Sequence, residues 1–110
     1  MRELLETCSE LPTALCANND SVAFGAYRAM NEAGIAIPRP IYVIGIDGHE
    51  GGKLAQPRLT TFAFDFERIF RSLVSRTIAV VEGKADVPQT EFFESVLVER
   101  ESCRRPDAGD

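Results

Sequence analysis

Apolar and polar positions along this chain form blocks that alternate between short apolar runs and helically spaced stripes. In residues 2–9, Leu4, Leu5 and Cys8 share one face, and Pro12 ends the pattern, as at the end of a helix. TALCA (13–17) is a nearly continuous apolar run, which predicts a strand buried on both faces. Asn18, Asn19 and Asp20 break it, and Asp20, or alternatively Asn19, is placed to cap the next helix. There Val22, Ala23, Ala26, Ala29, Met30 and Ala33 form a small apolar stripe, and Gly34 suits the left-handed position that stops it. After a loop bracketed by Pro38 and Pro40, IYVIGI (41–46) predicts a second buried strand, ended by Asp47 and Gly48. Residues 49–59 have the composition of a surface loop, and TTFAF (60–64) is a third strand. Asp65 then caps a helix over 66–82, with Phe66, Ile69, Phe70, Leu73, Val74, Ile78 and Val81 at helical spacing and Gly83 closing it. EFFESVLVER (91–100) is β-rich.

The order α-β-α-β-β-α-β describes an α/β protein with a mostly parallel sheet and flanking helices. In such sheets ligands sit outside the carboxyl ends of the strands. Three strands here end in Asn18-Asn19-Asp20, Asp47-Gly48-His49 and Phe64-Asp65. If they are neighbours, an amide, a carboxylate and an aromatic ring meet on one rim. An amide donates and accepts, an ionised Asp accepts from two hydroxyls or ring N–H groups, and an aromatic face covers apolar surface. That set suits a polyhydroxylated or nucleobase-like molecule. The bland alternatives are a turn and a cap at 19–20, a plain turn at 47–48 and a core ring at Phe64. Helix 66–82 is strongly amphipathic yet has few short strands to pack on, so the chain reads more like part of a domain than a whole one.

Composition narrows the class. A formal net charge of −5 over 110 residues argues against direct nucleic-acid contact by this segment, which needs a basic face. Three cysteines (Cys8, Cys16, Cys103), odd in number and without CxxC spacing, argue against a disulfide framework and fit a reducing cytoplasm, with Cys16 as a small core residue. No apolar run approaches the ~20 residues of a membrane span. His49, the sole histidine, has no partners for a metal site. No GxSxG elbow, Walker loop or GxGxxG occurs, so neither an enzyme nor a resident cofactor is expected.

The segments ANNDSVAFGAYRAMNEAGIAIPRPIYVIGIDG, PRLTTFAFD and SVLVERESC, in this order, resemble the effector-binding core of the LacI/GalR transcription regulators over about residues 11–103. The resemblance implies a periplasmic-binding-protein-like (type I) fold of two α/β lobes, present here only in part. Residues 1–103 would form the C-terminal part of the effector-binding domain, with 104–110 a flexible tail. By the same resemblance Asn19 and Asp47 match ligand-contacting positions, and Asp20 the capping aspartate beside them. Phe64 stands where many members carry Gln, which favours apolar cover there. The implied partners are a small-molecule effector and a second copy of the chain, with Phe24 and Tyr27 either exposed dimer anchors or lobe core. DNA would be bound only through a helix-turn-helix outside this chain. The alternatives are a periplasmic sugar-binding protein of an uptake transporter, which shares an ND-x-x-A-x-G-A pattern, and a stand-alone dimerisation domain.

Overall fold

A computed structural model of the protein describes residues 1–84 and 86–104. The tail expected over 104–110 therefore lies outside the described residues, apart from Arg104. The described residues divide into two units, residues 1–63 with 97–104, and residues 64–84 with 86–96.

The first unit carries α1 (Arg2–Thr7), β1 (Ala14–Cys16), α2 (Asp20–Glu32), β2 (Tyr42–Asp47) and β3 (Thr60–Ala63). A fourth strand, β4 (Val96–Val98), completes a sheet of order β1-β2-β3-β4. β1 and β2 run parallel with Leu15 opposite Val43, and β2 and β3 run parallel from Ile44 opposite Thr60 to Asp47 opposite Ala63. Parallel neighbours require a crossover, and α2 supplies the one between β1 and β2. Its buried face is Ala23, Ala26, Tyr27, Ala29 and Met30, of which Ala23, Ala26, Tyr27 and Met30 pack with Ala17, Ile41, Val43 and Leu59 into the core. The three alanines of that face let the helix lie close to the sheet, and the larger Tyr27 and Met30 fill the space beside them. Ala33 is the C-cap and Gly34 follows at φ +69°, the left-handed turn that ends the helix.

Ser102 ties β2 to β3 at their amino ends. Its buried hydroxyl donates to the Val43 carbonyl at 2.7 Å and accepts the Thr60 N–H at 2.8 Å. Its backbone pairs with Val43 and Arg58. Thr60 Oγ1 meanwhile accepts the Arg100 N–H at 2.8 Å and donates to the Cys103 carbonyl at 2.7 Å.

The second unit is built on α3 (Phe66–Val81). Asp65 caps it, accepting the Arg68 N–H at 2.9 Å, and Gly83 follows at φ +74°. Phe66 stacks on Phe70 at 5.9 Å, Arg68 lies over the Phe93 ring at 5.7 Å, and Arg76 pairs with Glu91. No residue of α3 is buried, and Phe70, Leu73, Val74, Ile78 and Val81 of its apolar stripe are more than half exposed.

Several sequence expectations are corrected. β1 is the edge of the sheet, with Ala14 and Cys16 exposed, so its apolar run is not buried on both faces and Cys16 is not a core residue. The loop after β2 contains a 3-10 turn, Glu50–Lys53. β4 keeps three residues of the β-rich run 91–100. Val22 lies off the buried face of α2, and Tyr27 takes that role instead.

Candidate functional site

The carboxyl ends of β1 and β2 meet at the amino terminus of α2. Asn19 is the residue that caps this helix: its Oδ1 accepts the Val22 N–H at 2.9 Å, and its backbone is extended. The expectation that Asp20 is the cap is therefore corrected. Asp20 is the first residue of α2 and is fully buried. Its Oδ1 accepts the Thr61 hydroxyl at 2.7 Å and its Oδ2 accepts the His49 N–H at 2.7 Å. A carboxylate out of water is costly unless its lone pairs are satisfied, and here two donors and the helix amino terminus satisfy it. With no exposed surface and both oxygens engaged, Asp20 is an internal brace rather than a ligand contact.

Gly45 makes room for that brace. A Cβ there would stand 2.1 Å from Asp20 Oδ1 and 3.2 Å from Leu59 Cδ2. Gly45 is paired in register with Thr61, so the bare strand position and the donating hydroxyl face the carboxylate together. Thr61 Oγ1 in turn accepts the Gly48 N–H at 3.2 Å.

Asp47 ends β2. It is half-buried and has φ +124°, the one non-glycine with positive φ among the described residues. That conformation is uncommon and costly for a side-chain-bearing residue. Its carboxylate has no hydrogen-bond partner among the described residues, leaving its acceptor sites open. Asn19, also half-buried, spends its Oδ1 on the cap and keeps its amide N–H₂ for other use.

His49 is exposed. Its Nδ1 accepts the Gly51 N–H at 2.9 Å, capping the 3-10 turn, and its ring meets Phe24 edge-on at 5.7 Å. Phe24 is half-buried against the core. Tyr27 is not an exposed anchor: it is 6 % exposed, its hydroxyl donates to the Pro57 carbonyl at 3.1 Å, and burial pushes its phenol above the ordinary pKa. Phe64 follows β3 by one residue and belongs to the second unit, with its ring 6.0 Å from Phe66. A separate groove of about 760 Å³ runs between α1, β1 and α2. Leu4, Leu15, Ala17, Asn18, Val22 and Ala26 line it, whereas Asn19 and Asp47 do not.

The sequence pattern singles out Asn19 and Asp47 as expected ligand contacts but not Gly45 and Thr61, which hold the rim in shape. The available signal was polar: a Thr-Thr pair opening an otherwise apolar strand needs partners once buried.

The sheet is parallel across β1, β2 and β3 and carries an amide and a carboxylate at its strand ends, the edge at which open α/β sheets bind ligands. The chain belongs to the periplasmic binding protein-like domain family, which its residues 1–103 match. It is 32% identical over 93 residues to the HTH-type transcriptional regulator GanR of Bacillus subtilis, covering 84% of this chain and 28% of that protein. It is 33% identical over 97 residues to the lactose operon repressor of Escherichia coli, covering 88% of this chain and 27% of the repressor. Among solved structures, the LacI family transcriptional regulator from Arthrobacter sp. FB24 in complex with lactose superimposes with a TM-score of 0.74 at 29% identity, covering 94% of this chain and 41% of that one. The LacI/GalR resemblance is thereby confirmed. The chain spans less than a third of the length of these two regulators. Among the described residues no helix is long and apolar enough to cross a membrane.

Proposed function

We propose that this chain is the effector-sensing portion of a LacI-type transcriptional regulator acting in the cytoplasm. Asn19 and Asp47 contact a small polyhydroxylated or nucleobase-like ligand. The observation that carries the reading is Asp47, a carboxylate with no hydrogen-bond partner among the described residues, at the carboxyl end of a parallel strand and in a conformation costly to any residue but glycine. The lactose complex of the Arthrobacter relative supports a sugar as the first class to try. The ligand favours one arrangement of the two-lobed domain over another, and the difference in its affinity for the two shifts DNA binding by a separate helix-turn-helix. A second copy of the chain completes the regulator.

The test uses the gene product that carries this segment. Its operator complex is followed by gel shift while lactose, other mono- and disaccharides and purine bases are added in turn. One of these compounds should change operator affinity by 5-fold or more, the usual range for such coupling being roughly 5–150-fold. A product that binds no DNA, or whose DNA affinity no compound alters, refutes the proposal.

A further inference from the structure

We propose that Asp20 is a positioning residue for Asp47: through Thr61 and its own Oδ2 it clamps the backbone that follows Asp47 and holds that residue in its positive-φ conformation. The inference rests on the reading of Asp47 as an effector contact. The two peptide N–H groups after Asp47 are both fixed: that of Gly48 donates to Thr61 Oγ1 at 3.2 Å, and that of His49 to Asp20 Oδ2 at 2.7 Å. Thr61 closes the triangle by donating to Asp20 Oδ1 at 2.7 Å. Asp47 and Gly48 both have positive φ, +124° and +75°, so the chain turns sharply just where these bonds grip it. An unfavourable conformation at a residue other than glycine persists only where its surroundings over-determine it. Here the surroundings are two fully buried side chains on α2 and β3.

Two further observations separate this role from a simple helix cap. Asn19 already supplies the cap, so both oxygens of Asp20 are directed to the β2 turn and β3. β2 also leaves position 45 without a side chain at the one place where a Cβ would collide with Asp20 Oδ1. The buried carboxylate thus links the end of β1, the turn after β2 and β3, while Asp47 keeps its own carboxylate unengaged.

The test is a double-mutant cycle on the full chain, read by urea denaturation. Asp47→Gly removes the φ penalty and should raise the ratio of folded to unfolded protein about fivefold, the relief of strain exceeding the entropy cost of glycine. Asp20→Asn leaves one acceptor oxygen for two donors, the His49 N–H and the Thr61 hydroxyl, so the clamp loses one of its bonds and the turn relaxes. In that background Asp47→Gly should change the ratio less than twofold. Should Asp20→Asn fail to fold, Thr61→Val replaces it, and Thr61→Ser, which keeps the hydroxyl, must restore the fivefold effect. Equal effects of Asp47→Gly in both backgrounds would overturn the inference, since a merely structural brace is additive with a residue it does not touch. The cycle needs no ligand. If Asp47 were no effector contact, the non-additivity would remain while effector affinity stayed unchanged in Asp47→Ala.

Discussion

Replacing Gly45 by alanine adds one methyl group, and the structure sets both the sign and the size of its effect. The new Cβ would lie 2.1 Å from Asp20 Oδ1 and 3.2 Å from both Asp20 Cγ and Leu59 Cδ2. Gly45 is fixed by pairing within β2 and β3, and Asp20 by the first turn of α2, so neither can retreat far. The carboxylate must swing away from Thr61 or His49 and lose at least one of two charge-assisted hydrogen bonds. Each such bond contributes about 1.5–3 kcal/mol, and the abandoned buried donor adds a desolvation cost of about 1–3 kcal/mol. The expected loss is therefore about 3–5 kcal/mol, a large fraction of the 5–15 kcal/mol typical of a whole domain. The control is the same substitution at Gly25 in α2, where a Cβ would meet nothing within 4 Å. There the methyl group only stiffens the helix, and a gain of about 1 kcal/mol is expected. Urea denaturation followed by far-ultraviolet circular dichroism compares the two variants with the parent. A Gly45→Ala midpoint equal to the parent's would refute the account of the buried carboxylate, whatever Gly25→Ala does.

Asn19→Ala removes the α2 cap and should cost about 1 kcal/mol in the same denaturation assay; an unchanged midpoint would return the cap to Asp20. Ser102→Ala takes away the hydroxyl shared by Val43 and Thr60 and strands a buried N–H, so a loss of about 2–3 kcal/mol is expected by calorimetric or chemical unfolding. Glu101 is held at a pKa of about 2, below its ordinary 4.5, chiefly by hydrogen bonding to the Arg58 guanidinium. Its folded-state pKa is depressed, so its stabilising effect is present above 4.5 and fades as pH falls towards 2. The melting temperature of the parent should therefore drop more steeply over that window than that of Glu101→Gln, and parallel curves would exclude the pairing.

The sequence-to-structure relation was clearest where local physics acts alone. The helical spacing of α2 and α3, their stops at Gly34 and Gly83, and the Asp65 cap were legible because caps and periodicity are settled within a few residues. β2 and β3 were legible as apolar runs ending in polar turns. The exposure of β1 was not, because an apolar run looks the same at the centre of a sheet and at its edge. The Asp20–Thr61 bond spans 41 residues and the Ser102–Val43 bond 59, and no local pattern announces either pairing. For the same reason the adjacent acceptors Asn19 and Asp20 were assigned in the wrong order: both are good caps, and only the buried donors on β3 and after β2 decide which of them turns inward. Tyr27, which the sequence leaves open between an interface and the core, lies in the core because its ring is buried and its hydroxyl meets the distant Pro57 carbonyl.

The measurement that bears most directly on the proposed function is isothermal titration of the responding effector into the gene product carrying this chain, as parent and as Asp47→Ala. Asp47 lies outside the core and has no hydrogen-bond partner among the described residues, so its truncation leaves the melting temperature close to that of the parent. The account predicts loss of measurable effector binding in this folded variant. Effector affinity equal to the parent's would contradict it, and the rim at the end of β2 would not be the sensing site.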